Sequence, residues 1–377
     1  MGSGTLGAGI AQVALEAGHE VVLHDVDEIA LERGRTRIRE GLVRRAAKLG
    51  LDADSIDEWA DGRLAGLRDS LTLDGVAAGA DLVVEAALED VELKRTIFTA
   101  LDREAPPDAI LATNTSALSV DAIADAVRRP GRVLGLHFFN PAPVMPLVEV
   151  VRGPRTGERA IRTAHALMQA WGKTPVECVD APGFIVNRVN RPFTLEALAM
   201  LEEGVAGIEA LDAAVRAAGY PMGPFELMDL TGIDVTLAAT RAIHAAFVTR
   251  GDSLADRFRP SPTQERMVAQ GRLGRKTGTG FYRYGPGEPE RSEAGSDPAL
   301  VERIELAIVN EAHRAVEDGV AGRDSIDLAL RLGAAHPQGP FERWDERGGV
   351  GAVRTGLAAQ AGRGARFVPA TSIGGAG

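Results

Sequence analysis

The chain has 377 residues, 45% hydrophobic and 25% charged, the balance of a globular protein with room for two or three domains. A formal net charge of -11 excludes the clustered positive footprint of a nucleic-acid binder, and a single cysteine, Cys178, excludes an internal disulfide framework and fits a reducing compartment. No apolar run approaches the roughly 18 residues that span a bilayer, and no charged, apolar leader pattern precedes the first domain, so a cytoplasmic protein without membrane or nucleic-acid partners is expected.

The chain opens on Gly2-Ser3-Gly4-Thr5-Leu6-Gly7, a G-x-G-x-x-G run followed by the helical pattern AGIAQVALEAGH. The first glycine permits a tight turn, the second lets backbone approach a pyrophosphate, and the third permits close helix packing, with the diphosphate on the helix N-terminus. Taken alone, such a run is equally a flexible terminus. Asp25 closes the apolar strand EVVLHD, where a carboxylate accepts the adenosine ribose hydroxyls. No arginine adjoins Asp25 and Asp27 adds negative charge, so NAD is expected rather than NADP. A strand should deliver the chain into the first glycine, yet only Met1 precedes it. The given sequence is therefore expected to start one strand late, leaving neighbouring strands facing a gap with unpaired backbone groups.

Further strands are predicted at 20–25, 81–85, 109–113, 132–137 and 174–179, and helices at 91–105 and 119–126. Their alternation predicts a Rossmann-type doubly wound parallel sheet over 1–180 with its first strand missing. The charged helical pattern of about 29–70 is read as a hairpin projecting from the sheet. Within the first domain, His137 and Ser116 fall at strand ends, which line the ligand crevice of such a sheet. Glu149 follows His137 by 12 residues across a proline-rich turn. An imidazole held by a carboxylate makes a good general base, since the anion fixes the tautomer and stabilises the imidazolium. The plainer alternative is a strand-end histidine with a surface glutamate.

Two all-α C-terminal domains are expected next, at 181–284 and 298–377, joined by the Gly/Pro-rich linker 285–297. They resemble each other: Glu196-Ala197 and 202–206 (EEGVA) recur as Glu311-Ala312 and 317–321 (EDGVA), and GPFELMD recurs as GPFERWD. The offset is 115 at the first pairs and 116 at the last, which argues for internal duplication. The Gly/Ala-rich tail from Thr355 is expected to be loosely ordered.

Together GSGTLGAGIAQ, NTSALS, GLHFFNPAPVMPLVEVV, DAPGFIVNR and GRLGRKTGTGFY resemble the 3-hydroxyacyl-CoA dehydrogenases, over nearly the whole chain. The resemblance implies NAD-dependent oxidation of (S)-3-hydroxyacyl-CoA, in fatty-acid or phenylacetate-type catabolism. It makes His137 the base, Glu149 its orienting carboxylate, and Ser116 and Asn187 the hydrogen-bonding partners of the reacting oxygen. For Ser116 the plain alternative is a turn or N-cap serine, and for Asn187 a helix-surface amide. Cofactor contacts are implied at Gly2, Gly4, Thr5, Leu6, Gly7, Asp25, Glu89, Lys94, Asn140 and Lys276, and a CoA-phosphate contact at Lys48, with Arg44 or Arg45 nearby. Glu89, Lys94 and Lys48 could equally lie on solvated helix faces, and no metal is expected. Pro146 departs from the lysine common among relatives. The duplicated copy, found in longer members, is expected to be structural: either a homodimer forms, or the copies pair internally as a pseudo-dimer. The rival readings are a dehydrogenase of the same superfamily acting on a free sugar acid, and a non-catalytic NAD-binding relative. No unambiguous cation for a distal acyl carboxylate is visible, so 3-hydroxybutyryl-CoA and 3-hydroxyadipyl-CoA remain alternatives.

Overall fold

Asp27, Asp90 and Ser119 each stand just ahead of a helical stretch, and each side chain accepts a hydrogen bond from a first-turn backbone N–H, that of Ile29, Leu93 and Ala122 respectively. These caps satisfy donors that the helix itself leaves open. A computed structural model describes residues 1–285 and 297–374. The linker expected at 285–297 thus falls almost wholly outside the described residues. The chain forms two units, Met1–Asp180 and Ala181–Gly377.

The first unit runs α1 (Thr5–Glu16), β1 (Val21–His24), α2 (Glu28–Lys48), α3 (Ala53–Leu64), β2 (Leu67–Ser70), α4 (Leu73–Ala77), β3 (Leu82–Glu85), α5 (Val91–Glu104), β4 (Ile110–Thr113), α6 (Val120–Ala124), β5 (Val133–Phe138), β6 (Leu147–Arg152), α7 (Glu158–Ala170) and β7 (Thr174–Val179). The hairpin is α2 and α3. It ends earlier than expected, because 67–70 pair in parallel with β1 as β2. The main sheet has the order β3-β4-β5-β6-β7. It is not purely parallel: β6 runs antiparallel to β5, since the turn after β5 is too short for a crossover and returns the chain beside its own strand. Helices α1 and α7 cover one face of the main sheet. Ile10 of α1 and Ile161, Ala164 and Met168 of α7 pack with Leu134, Leu136 and Val150. Ala8, Ala11 and Leu15 of α1 pack with Leu31, Ile38 and Leu42 of α2.

Among the described residues no strand lies between β1 and β3, as the reading of the glycine loop anticipated. Only Met1 and Gly2 bridge the interval: the Met1 ammonium donates to Val84 O at 2.9 Å, Ala86 N donates to Met1 O at 2.9 Å, and Gly2 N to His24 O at 2.8 Å. The rest is a cavity of about 640 Å³ lined by apolar side chains including Ile10, Val22, Val76, Leu82 and Val84.

The second unit is helical. Its first block is α8 (Val186–Val189), α9 (Arg191–Glu202), α10 (Ile208–Ala217), α11 (Pro224–Thr231), α12 (Ile233–Thr249) and α13 (Pro262–Ala269). The second is α14 (Pro298–Glu317), α15 (Arg323–Gly333), α16 (Pro340–Glu346), α17 (Gly349–Ala359) and α18 (Thr371–Gly374). Both blocks lie in this one unit, and their pairing is reciprocal. Arg188 pairs with Glu311 and Asp318, and Arg303 pairs with Glu196 and Glu203. Each residue of one set stands 115 places from its counterpart in the other. Arg257 joins Glu311 and Arg366 joins Glu196. His336 contacts Asn190 and Tyr220 contacts Glu305, again by exchange of equivalent positions. Such isologous exchange is the pattern of a two-fold interface, here within one chain. The tail departs from the expected loose order: Phe367, Ala370 and Ile373 are buried, and Asn310 binds the backbone of Arg366, Val368 and Ala370.

Candidate active site

In the glycine loop each glycine has a separate reason. Gly2 has φ +81°, and a Cβ there would lie 2.4 Å from Ala86 O. A Cβ on Gly7 would lie 1.9 Å from Gly2 O, whereas one on Gly4 would meet nothing within 4 Å. Open space at Gly4, the N-cap of α1, is what a diphosphate needs at a helix N-terminus; Thr5 and Leu6 form its first turn. Asp25 accepts hydrogen bonds from the Ser3 backbone and hydroxyl, each at 2.8 Å, and from Val26 N at 2.8 Å. Burial raises the Asp25 carboxyl, but these donors outweigh it and hold the group below the usual carboxylate range. An anionic acceptor therefore stands at the end of β1, beside the loop, and these residues fit NAD.

The antiparallel return of β6 sets His137 directly opposite Glu149. His137 Nδ1 and Glu149 Oε2 are 2.6 Å apart, and both side chains are buried. A buried carboxylate on Nδ1 orients the imidazole and fixes its tautomer. The Phe139 ring packs against the imidazole at 4.5 Å, and Asn114, at the end of β4, holds Phe138 N at 2.8 Å. Cys178 lies on β7 beside this pair; burial pushes its thiol well up, so it is an inert core residue.

Glu89 organises the loop after β4. Its carboxylate accepts Thr115 Oγ1 at 2.6 Å, Ser116 N at 2.9 Å and Ala117 N at 3.2 Å. Ser116 is half-buried and Asn140 exposed. Lys94 is not on a solvated helix face. It is 1% exposed and ion-paired with Glu85 at 2.7 Å, with Glu89 at 3.4 Å. Sequence reasoning missed Glu85, a buried carboxylate that also accepts Thr113 Oγ1 and Ala87 N, both at 2.7 Å. Its signal was its place as the last residue of the parallel strand β3, since ligand crevices form at the C-terminal ends of such strands. Lys173, also missed, is buried and donates to Ala142 O and Met145 O, tying down the turn between His137 and Glu149. Lys48, like Arg44, is exposed on the last turns of α2, while Arg45 reaches Glu16 at 3.5 Å.

Asn187 and Lys276 belong to the second unit. Asn187 is half-buried in α8. Lys276 pairs with Asp234 at 2.6 Å in a turn whose Gly274 and Gly278 have φ +93° and +72°. Asp229 anchors that turn through Phe281 N, Tyr282 N and the Tyr284 hydroxyl, each at 2.9 Å.

A G-x-G-x-x-G loop at a helix N-terminus with a strand-end carboxylate beside it is the arrangement of an NAD-binding domain. Residues 1–181 match the family model for the 3-hydroxyacyl-CoA dehydrogenase NAD binding domain, and residues 183–284 and 300–368 match that for the C-terminal domain. The chain belongs to the 3-hydroxyacyl-CoA dehydrogenase family. Over 283 residues it is 47% identical to 3-hydroxyadipyl-CoA dehydrogenase of Escherichia coli, covering 75% of this chain and 58% of that protein. The match therefore spans less than two thirds of that relative's length. Identity to the mitochondrial hydroxyacyl-coenzyme A dehydrogenase of Rattus norvegicus is 43%, covering 75% of this chain and 90% of the relative. The crystal structure of 3-hydroxybutyryl-CoA dehydrogenase from Escherichia coli aligns with a TM-score of 0.88 at 35% identity, over 99% of this chain and 96% of that one.

Proposed function

We propose that the chain catalyses reversible NAD-dependent oxidation of (S)-3-hydroxyacyl-CoA to 3-oxoacyl-CoA. The observation that carries this reading is the buried 2.6 Å contact between His137 and Glu149. His137 Nε2 takes the proton of the 3-hydroxyl, and Glu149 holds the ring and offsets the imidazolium charge. NAD, when bound, accepts the hydride from C3. Ser116 and Asn187 hydrogen-bond the reacting oxygen. Gly2, Gly4, Thr5, Leu6 and Gly7 would hold the diphosphate of NAD and Asp25 its ribose, and Glu89, Asn140 and Lys276 would serve the nicotinamide side. Lys94 supports that side through Glu85 and Glu89. Lys48, exposed on the hairpin and without an ion pair among the described residues, meets the CoA phosphates.

We read the acyl group as one of those in the relatives' names, 3-hydroxyadipyl or 3-hydroxybutyryl, in fatty-acid or phenylacetate-type catabolism. The reciprocal helical copies take the place of a homodimer contact. The single buried thiol and the absence, among the described residues, of a helix long and apolar enough to cross a membrane fit our placement of the enzyme in the cytoplasm.

The test is NADH oxidation with acetoacetyl-CoA. His137→Gln should lower kcat/KM by roughly a hundredfold or more; an unchanged value refutes the mechanism. Turnover of a free hydroxy acid in preference to the thioester would favour the sugar-acid reading instead.

A further inference from the structure

Buried guanidinium groups in the second unit are heavily compensated, with one exception. Arg188, Arg257 and Arg303 each hold two carboxylates. Arg191, the first residue of α9, is 8% exposed. Yet among the described residues no carboxylate lies within ion-pair distance of it, and its Nε has no hydrogen-bond partner. Burying a cation without an anion is strongly unfavourable. Burial lowers the Arg191 guanidinium to about 10, which still leaves it charged at neutral pH.

Its position gives the charge a use. Asn190 has helical dihedrals and joins α8 to α9, so Asn187 and Arg191 stand four residues apart on one helical path. Residues so spaced share a face, one above the other. Their axial separation is about 6 Å.

The duplicated copy supplies an internal control. At the offset of 115, Arg188, Glu196 and Glu203 recur as Arg303, Glu311 and Asp318, which make the ion pairs of the fold. Asn187 and Arg191 become Glu302 and Leu306. Leu306 is fully buried. The helix therefore forms and packs with leucine at this place, and arginine is retained only in the copy that carries Asn187.

We infer that Arg191 binds a carboxylate at the far end of the acyl chain, making dicarboxylic 3-hydroxyacyl thioesters the preferred substrates. This rests on the function proposed above, with Asn187 at the reacting oxygen. Three or four carbon–carbon bonds of about 1.5 Å each carry a terminal carboxylate from C3 roughly one helical turn along the face, where the guanidinium can take it in a bidentate pair.

The experiment compares 3-hydroxyadipyl-CoA with 3-hydroxyhexanoyl-CoA, equal in length and differing only in a terminal carboxylate or methyl. The full-length enzyme should favour the dicarboxylic thioester in kcat/KM by at least about tenfold. Arg191→Met should lower that ratio at least about tenfold while raising Tm, since an uncompensated charge is removed, and Arg191→Lys should retain part of the preference. A wild-type preference for the hexanoyl thioester, an unchanged ratio in Arg191→Met, or a variant that no longer folds would each overturn the assignment, the last by showing that the charge is structurally paired. Failure of the wild type to turn over any CoA thioester would overturn the proposed function itself.

Discussion

At the scale of single residues, the glycine loop separates two roles that one motif conceals. A Cβ at Gly7 collides with backbone, the carbonyl of Gly2, which cannot swing away like a side chain. Gly7→Ala should therefore distort the loop, lowering Tm and weakening NADH binding by about tenfold or more, equivalent to about 1.4 kcal/mol. Gly4→Ala meets no protein atom, so it should leave Tm unchanged while still weakening NADH. Fluorescence titration of both variants checks this, and wild-type NADH affinity in Gly7→Ala would contradict it. His137 and Glu149 were legible in the sequence because a short proline-rich turn separates them. Arg191 was not. In RVNRPF it reads as one more surface base, and only the lack of an acid around a buried side chain distinguishes it from Arg188.

At the scale of elements, the hairpin rests on one stripe. Leu31, Ile38 and Leu42 of α2 are buried against α1, and Gly34 and Gly41 lie so close to Ser3 and Gln12 that a Cβ would clash. Leu42 is wholly buried, so Leu42→Ala should cost about 2–5 kcal/mol, read as a lower urea midpoint. A loss under about 1 kcal/mol would mean that the hairpin is not cooperative with the sheet. Helices with caps and apolar stripes, and strands such as ILAT, could be read in advance. The missed strands had weaker signals. In β2 (LRDS) only Leu67 is buried, so it carries no apolar run. The strand β6 stood within a motif whose prolines suggested a turn. The tail misled through its glycine and alanine content, because its few large residues, Phe367 and Ile373, do the packing.

At the scale of the whole molecule, stability depends on pH through the joined copies. Burial pushes His336 down to about 3, and it faces the Asn190 side chain at 2.8 Å. An unfolded histidine titrates near 6.5, so between about 6.5 and 3 the unfolded chain binds a proton that the folded one refuses. The stabilisation is therefore complete above pH 6.5 and is lost as pH falls, by up to about 1.4 kcal/mol per pH unit. His336→Gln should flatten this part of the stability profile in urea unfolding followed from pH 7 to 4; an unaltered slope would place the acid sensitivity elsewhere.

Reciprocal pairing of two copies on one chain also changes what substitution can achieve. In an assembly of identical subunits, any mutation acts on both sides of the axis at once, and a change that suits one side must suit the other. Here each half meets a partner with its own codons. Asn190 and Tyr220 could therefore become Glu305 and His336 in the second half alone, and that half could exchange Asn187 and Arg191 for Glu302 and Leu306 without touching the first. Fusion turns an enforced symmetry into two separately inherited surfaces, one free to keep chemistry while the other is refined as scaffold.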